Sequence, residues 1–91
     1  MVMLNVRHTV ADYAKWRPFF DEDDARRRKA GQQGTPQVYR DVDNPNVVTI
    51  MLPWDNAENA LRFAQDPAMA EVMQKAGVVG MPAVRAILSP A

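Results

Sequence analysis

Polar and apolar side chains alternate along residues 2–9, near the start of the chain. A period of two is typical of a β-strand with one buried face, so these residues are predicted to form the first strand. One face of this strand carries Val2, Leu4, Val6 and His8 and the other carries Met3, Asn5 and Arg7, and the alternation leaves open which of the two meets the helices.

Helical periodicity follows this strand. The apolar stripe consists of Tyr13, Trp16 and Phe20. Asp12 precedes the stripe and is the residue type that caps helix N-termini, so a helix is predicted to begin there. Because Pro18 lacks a backbone N–H, a kink or a short first turn is predicted there, followed by a main helix over about residues 17–30. Gly31 is the predicted helix stop.

The second half of this helix is strongly charged, reading DEDDARRRK over residues 21–29. Three acids precede bases by four residues: Glu22 and Arg26, Asp23 and Arg27, Asp24 and Arg28. This spacing favours ion pairs across one helical turn. Phosphate or nucleic-acid binding by residues 26–29 is the alternative, but the neighbouring acids cancel the field that it needs. The segment is therefore predicted to be a solvated outer face.

The second half of the chain predicts a hairpin, a divided helix and a last strand. Residues 37–43 and 47–54 are predicted to be paired strands, the second apolar enough to be central in a sheet. Helices are predicted to begin at Asp55, with Glu58 completing a capping box, and again at Asp66, with Pro67 in the first turn. Residues 83–89 form the predicted last strand. Residues 77–82 before it are expected to be a flexible lid or a contact between subunits.

These elements follow one another as β-α-β-β-α-β in a single predicted domain, residues 1–91. With right-handed crossovers, this order gives an antiparallel sheet of order 4-1-3-2 with both helices on one face, which is a ferredoxin-like α+β fold. Three of the strands carry apolar side chains on both faces. A second copy of the chain is therefore expected to cover the open face, as a homodimer.

Composition excludes several classes of function. The chain has no cysteine and one histidine, which excludes a disulfide scaffold, a thiolate nucleophile, an iron–sulfur cluster and a Cys/His zinc site. No metal is expected. Eleven acids balance eleven bases, so there is no overall field for nucleic acid or a membrane surface. No apolar run approaches bilayer length, and the protein is expected to be soluble and cytoplasmic.

A small-molecule pocket is predicted on the helix-covered face, near the end of the first strand. The residues expected to converge there are His8, Tyr13, Trp16, Tyr39, Trp54 and Phe63. His8 is the candidate general base, because imidazole titrates near neutrality; capping a backbone group is the alternative. Asn5 could orient a substrate carbonyl or serve as an interface amide. The strand arginines Arg7, Arg40 and Arg85 are expected to form salt bridges, with anion binding as the alternative.

Two tracts, VRHTVADYAKW at residues 6–16 and LPWDNAENALRFAQDP at residues 52–67, resemble the dimeric α+β barrel superfamily, in particular its antibiotic-biosynthesis-monooxygenase-like group. The resemblance spans nearly the whole chain. It implies a cofactor-independent monooxygenase, or a related enzyme, acting on an apolar aromatic substrate, with pocket roles for Asn5, Tyr39 and Trp54. A non-catalytic small-molecule-binding or accessory protein of the same fold is the alternative. Haem-degrading members carry a tryptophan and a histidine on the second helix, where this chain has Arg62 and Met73, so haem binding is not expected.

Overall fold

The computed structural model describes the backbone of residues 1–91 and the side chains of residues 1–80 and 85–91. Its backbone forms four strands and four helices, and each of the two predicted helical regions is divided in two. In chain order the elements are β1 (Val2–Val10), α1 (Tyr13–Glu22), α2 (Asp24–Ala30), β2 (Gln37–Arg40), β3 (Val47–Trp54), α3 (Ala57–Ala64), α4 (Pro67–Lys75) and β4 (Val78–Leu88).

The four strands form one antiparallel sheet in the order β2-β3-β1-β4. This order confirms the ferredoxin-like topology predicted from the sequence. In the registers, Val6 lies opposite Ile50, Leu4 opposite Ile87, and Val38 opposite Ile50 from the other side. β1 and β3 therefore occupy the centre, as their apolar sequences predict.

The helices cover one face of this sheet. Alternate residues of β1 and β3 point towards them and are almost completely buried: Leu4, Val6, Val10, Val48, Ile50, Leu52 and Trp54. Side chains from the helices complete the core, among them Trp16, Ala60, Phe63 and Met69. Burying each large apolar side chain contributes about 1.5–3 kcal/mol, so this single layer supplies most of the hydrophobic stabilisation.

The first helical region breaks at Asp23, so the main helix predicted over about residues 17–30 is not continuous. Pro18 lies inside α1, which continues past it with the loss of one backbone hydrogen bond. The N–H of Asp23 donates to the carbonyl of Phe19, and α2 begins at the next residue. The predicted ends are confirmed: Asp12 accepts from the N–H of Ala14 at 2.9 Å, and Gly31 ends α2 with a φ of 136°.

The cap of α3 lies one residue later than predicted. Asn56, not Asp55, accepts the capping hydrogen bond, from the N–H of Asn59 at 2.8 Å. The backbone of Asp55 is held at the sheet instead, since its N–H donates to the carbonyl of Gly31 at 3.0 Å. The predicted cap of α4 is confirmed, because Asp66 accepts from the N–H of Ala68 at 2.9 Å.

The bounds of two strands differ from the prediction. β2 ends at Arg40, three residues early, where the backbone turns towards the hairpin loop. β4 begins at Val78, directly after Gly77, and pairs with Val10. Most of the predicted lid therefore belongs to the sheet, so a flexible loop there is wrong. The β1–β4 register shifts between Arg7 and Thr9, which places an irregularity of the ladder opposite His8.

Candidate functional site

A cavity of about 50 Å³ lies between the helix-covered face of the sheet and the helices. Its floor consists of strand side chains that the alternation of β1 and β3 brings to this face: Val6, His8, Ile50 and Leu52. Two adjacent central strands thus contribute neighbouring residues, and His8 is the polar group among them.

Aromatic and thioether side chains form the walls. On one side, the rings of Trp16 and Phe20 on α1 stack with centroids 5.1 Å apart and an angle of 24° between their planes. Phe63 on α3 and Met73 on α4 line the other side. Phe19 also lines the cavity and is 46% exposed, so it marks the mouth towards solvent. The apolar lining suits an aromatic molecule, but the space of about 50 Å³ admits one only when the walls move apart.

The imidazole of His8 is only 6% exposed and meets the ring of Trp16 edge-on, with centroids 5.6 Å apart. Within the part of the chain that the structure describes, neither Nδ1 nor Nε2 has a hydrogen-bond partner. Burial, assisted by the positive charge of Arg85, lowers the pKa of His8 to about 4. The imidazole is therefore neutral at pH 7, with one nitrogen free to accept a proton and the other free to donate one.

The prediction that the charged segment is a solvated face is wrong at Arg27. Its side chain is 4% exposed and lines the cavity. Nε donates to Oε1 of Gln32 and Nη1 to the carbonyl of Phe20, both at 2.8 Å. The guanidinium also lies 3.9 Å from the centroid of the Phe20 ring. Burial lowers the pKa of Arg27, but an arginine remains cationic at neutral pH.

A second arginine reaches the cavity beside it. Arg26 donates from Nε and Nη2 to the two carboxylate oxygens of Asp23, both at 2.8 Å, and its guanidinium lies 4.9 Å from the centroid of the Phe63 ring. The predicted pair of Arg26 with Glu22 does not form among the described side chains, because the break at Asp23 changes the helical spacing. The charged groups at this end are thus ordered by contacts to each other and to aromatic rings.

Of the six residues expected to converge, the structure brings His8, Trp16 and Phe63 together around the cavity. Tyr13 packs on the outer side of Trp16, with ring centroids 5.7 Å apart, and does not line it. Trp54 is fully buried behind Phe63, at a centroid distance of 4.8 Å. These two residues support the wall without forming its surface.

Tyr39 and Asn5 lie on the opposite face of the sheet, so their predicted place in this pocket is wrong. Tyr39 pairs with Thr49, not with Val48 or Ile50, and is 56% exposed. Asn5 pairs with Met51, and its amide donates to the sulfur of that residue at 2.7 Å. The physical reason is strand parity, because a shift of one residue moves a side chain to the other face.

The strand arginines behave in three different ways. Arg7 forms the predicted salt bridge, donating to both oxygens of Asp41 at 2.9 and 2.7 Å on the open face. Arg40 instead donates to the carbonyl of Pro45 at 2.8 Å and stacks on the ring of Tyr13. Arg85 donates to the carbonyl of Ala64 at the end of α3. Of these three arginines, only Arg7 therefore has a carboxylate partner among the described side chains.

Sequence reasoning did not assign Phe20, Met73, Arg26 or Arg27 to the cavity. The first two lie on helical apolar stripes, and that pattern indicates burial without separating a cavity wall from a core contact. Among the described side chains, no cluster of three or more potential metal ligands occurs. Over the same part of the chain, the helices are too short or too polar to cross a bilayer.

No protein-family model matches the chain, and no curated protein matches it. Solved structures do share its fold. One is an antibiotic biosynthesis monooxygenase, with a TM-score of 0.69 at 9% identity over 100% of this chain and 99% of the other. Another is SnoaB, a cofactor-independent oxygenase from Streptomyces nogalater, with a TM-score of 0.73 at 15% identity over 99% of this chain and 92% of the other.

This chain has the fold of the antibiotic biosynthesis monooxygenases. A third structure of this fold is a monooxygenase from the gene ActVA-Orf6 of Streptomyces coelicolor in complex with nanaomycin D. Its TM-score is 0.64 at 18% identity, covering 99% of this chain and 87% of the other. The resemblance predicted from the sequence is thus confirmed for the fold of the antibiotic biosynthesis monooxygenases. Substrate and chemistry have to be argued from the residues of this chain.

Proposed function

We propose that this protein is a cofactor-independent monooxygenase acting on an apolar aromatic substrate, with His8 as the general base. The single observation that carries the proposal is the imidazole itself, which is buried in an aromatic cavity with no hydrogen-bond partner for either nitrogen among the residues that the structure describes. Buried polar groups are almost always hydrogen-bonded, so an unpartnered one facing a cavity is a group available to a ligand.

The chemistry suits a phenol or enol whose ring carbon para to the oxygen carries a hydrogen. Its O–H donates to the unprotonated nitrogen of His8, and proton transfer leaves an electron-rich anion. That anion passes one electron to O2, and the two radicals combine to form a C–O bond at the para carbon. The imidazolium returns its proton to the peroxide anion. The hydroperoxide then loses water, so substrate and O2 give a quinone and one water molecule.

The low pKa of His8 makes it a weak base in the empty cavity, and this restricts the reaction to a bound substrate. A substrate anion formed beside His8 strongly stabilises the protonated form of the imidazole, because apolar walls screen the two charges poorly. The same walls exclude water from the radical pair. Since the cavity is narrow, a two-ring substrate requires Phe19 at the mouth to turn outwards.

Oxygen uptake with 1-naphthol or anthrone as substrate tests the proposal. His8→Gln keeps hydrogen-bonding groups but removes the base, so turnover is expected to fall at least about 100-fold, while the dissociation constant changes only about threefold or less. Thr9→Val is the matched control, because it alters the next residue of β1 on the other face. Equal turnover in wild type and His8→Gln would exclude His8 as the base. Binding without turnover in the wild type would support the non-catalytic alternative, and no binding would overturn both.

A homodimer is the second part of the proposal. The open face of the sheet presents Met3, Met51 and Pro53, which are only half-buried in one chain, and Leu88, which is 44% exposed. A second copy is expected to cover these side chains. Native mass spectrometry should give twice 10.2 kDa for the wild type and 10.2 kDa for Met51→Asp. A monomeric wild type contradicts this part. The cytoplasmic location expected from the sequence stays a prediction.

A further inference from the structure

The proposed chemistry leaves the buried guanidinium of Arg27 unused. We infer that the substrate is an aromatic acid whose rings lie along Trp16 and Phe20 and whose carboxylate is bound by Arg27. This inference rests on the proposed binding of an aromatic molecule in the same cavity, and it adds the class of substrate.

Arg27 has hydrogen-bond donors that the described residues do not use. Its Nε and Nη1 each make one hydrogen bond, but Nη2 makes none to the described residues. The nearest carboxylate oxygens lie 3.7 Å away on Asp24 and 3.9 Å away on Asp23, beyond hydrogen-bonding distance. A guanidinium that is more than nine-tenths buried and incompletely bonded is unusual, because burial of a cation is costly unless its N–H groups are matched.

The neighbouring acids accept their short hydrogen bonds from other arginines. Both oxygens of Asp23 accept from Arg26, and Oδ2 of Asp24 accepts from Arg28 at 2.8 Å. Arg27 therefore shares these carboxylates with better-bonded arginines, and its own carboxylate contacts are 3.7 Å or longer, which leaves its positive charge incompletely matched. An anionic group on the ligand would balance it, and a carboxylate matches the planar N–H pattern of arginine.

The order of contacts along the wall indicates the spacing of groups on the ligand. His8 meets the ring of Trp16, Trp16 stacks on Phe20, and Phe20 lies under Arg27, with successive separations of 5.6, 5.1 and 3.9 Å. Two aromatic rings therefore separate the imidazole from the guanidinium. A molecule with two or more aromatic rings, a hydroxyl at one end and a carboxylate at the other would meet both groups.

Three ligands separate this arrangement from simple apolar binding, with dissociation constants measured by calorimetry. 5-Hydroxy-1-naphthoate carries its two groups on different rings, 1-hydroxy-2-naphthoate carries both on one ring, and 1-naphthol lacks the carboxylate. The wild-type protein is expected to bind the first about 10- to 100-fold more tightly than 1-naphthol, since a charge-assisted hydrogen bond contributes on this scale. The second should bind only slightly more tightly than 1-naphthol.

Arg27→Gln should abolish the advantage of the carboxylate and change the affinity for 1-naphthol by about threefold or less. Arg62→Gln is the matched control, since it removes an exposed guanidinium on α3 that pairs with Glu58 and does not line the cavity, and it should keep the advantage. If Arg27→Gln does not fold, Arg27→Lys keeps the charge without the planar pair of donors and should lose most of the advantage. The comparison of 5-hydroxy-1-naphthoate with 1-hydroxy-2-naphthoate on the wild-type protein tests the inference without any variant.

Two results would overturn the inference while leaving the proposed function intact. One is tight binding of 1-naphthol with no gain from the carboxylate. The other is a carboxylate advantage that survives in Arg27→Gln and disappears in Arg85→Gln, which would place the anion at the His8 end. If the wild type binds none of the three ligands, both the inference and the proposed function fail.

Discussion

Lowering the pH from 7 to 5 is expected to destabilise the folded protein through His8. Folding lowers the pKa of this imidazole from 6.5 to about 4, so the unfolded chain binds a proton more readily than the folded one. The contribution of His8 to the free energy of unfolding is fully present above pH 6.5 and is lost as the pH falls from 6.5 towards 4. His8 is the only histidine of the chain, so no other imidazole contributes to this window.

The size of the effect follows from the two pKa values. Between pH 7 and pH 5, the free energy of unfolding should fall by up to about 2 kcal/mol, and the loss should level off near 3 kcal/mol below pH 4. Ion pairs with arginines lower the pKa of Asp24 and Asp41 further below 3.8, so those groups act at more acid pH.

Urea unfolding at pH 7, 6 and 5 measures this loss, with fluorescence of the buried Trp16 and Trp54 as the signal and the protein concentration held fixed. His8→Leu should be nearly insensitive to pH over the same range. An NMR titration of the single imidazole in the wild type gives the folded pKa directly. A folded pKa near 6.5, or an equal loss of stability in wild type and His8→Leu, would refute the reasoning.

Two further predictions concern the scaffold, and urea unfolding measures both. Gly31→Ala should lower the free energy of unfolding by about 2–4 kcal/mol, because φ is 136° and an added Cβ would lie 2.6 Å from both Trp54 Nε1 and Asp55 Oδ1. Gly34→Ala should lower it by only about 1 kcal/mol, because the nearest atom to an added Cβ is 4.0 Å away. Similar losses in the two variants would contradict the crowding argument. Asp66→Ala should cost about 1 kcal/mol through loss of the cap of α4, and Asp66→Asn should restore most of it; equal loss in both would show that the cap is not the cause.

Strand periodicity made most of the fold predictable. In β1 the two faces differ in the sequence, whereas β3 is apolar at nearly every position and its faces become distinct through its pairing with β1. Boundaries were less predictable when tertiary contacts decided them. The cap of α3 moves past Asp55 because the N–H of that residue bonds to Gly31, which lies distant in sequence. The extension of β4 depends on its pairing with Val10, which local sequence also does not report.

The least predictable part of the candidate site is the charged segment, and the reason is geometric. On one continuous helix, the acids and bases of residues 21–29 would pair four apart and face solvent together. The break at Asp23 gives Asp23 and Arg26 a three-residue pairing and turns the neighbouring Arg27 inwards, where it covers Phe20. Charge pattern alone cannot indicate this turn, because pairing by sequence spacing assumes a continuous helix. The group that we infer to select the substrate therefore lies in the segment whose sequence most strongly predicts a solvent-exposed surface.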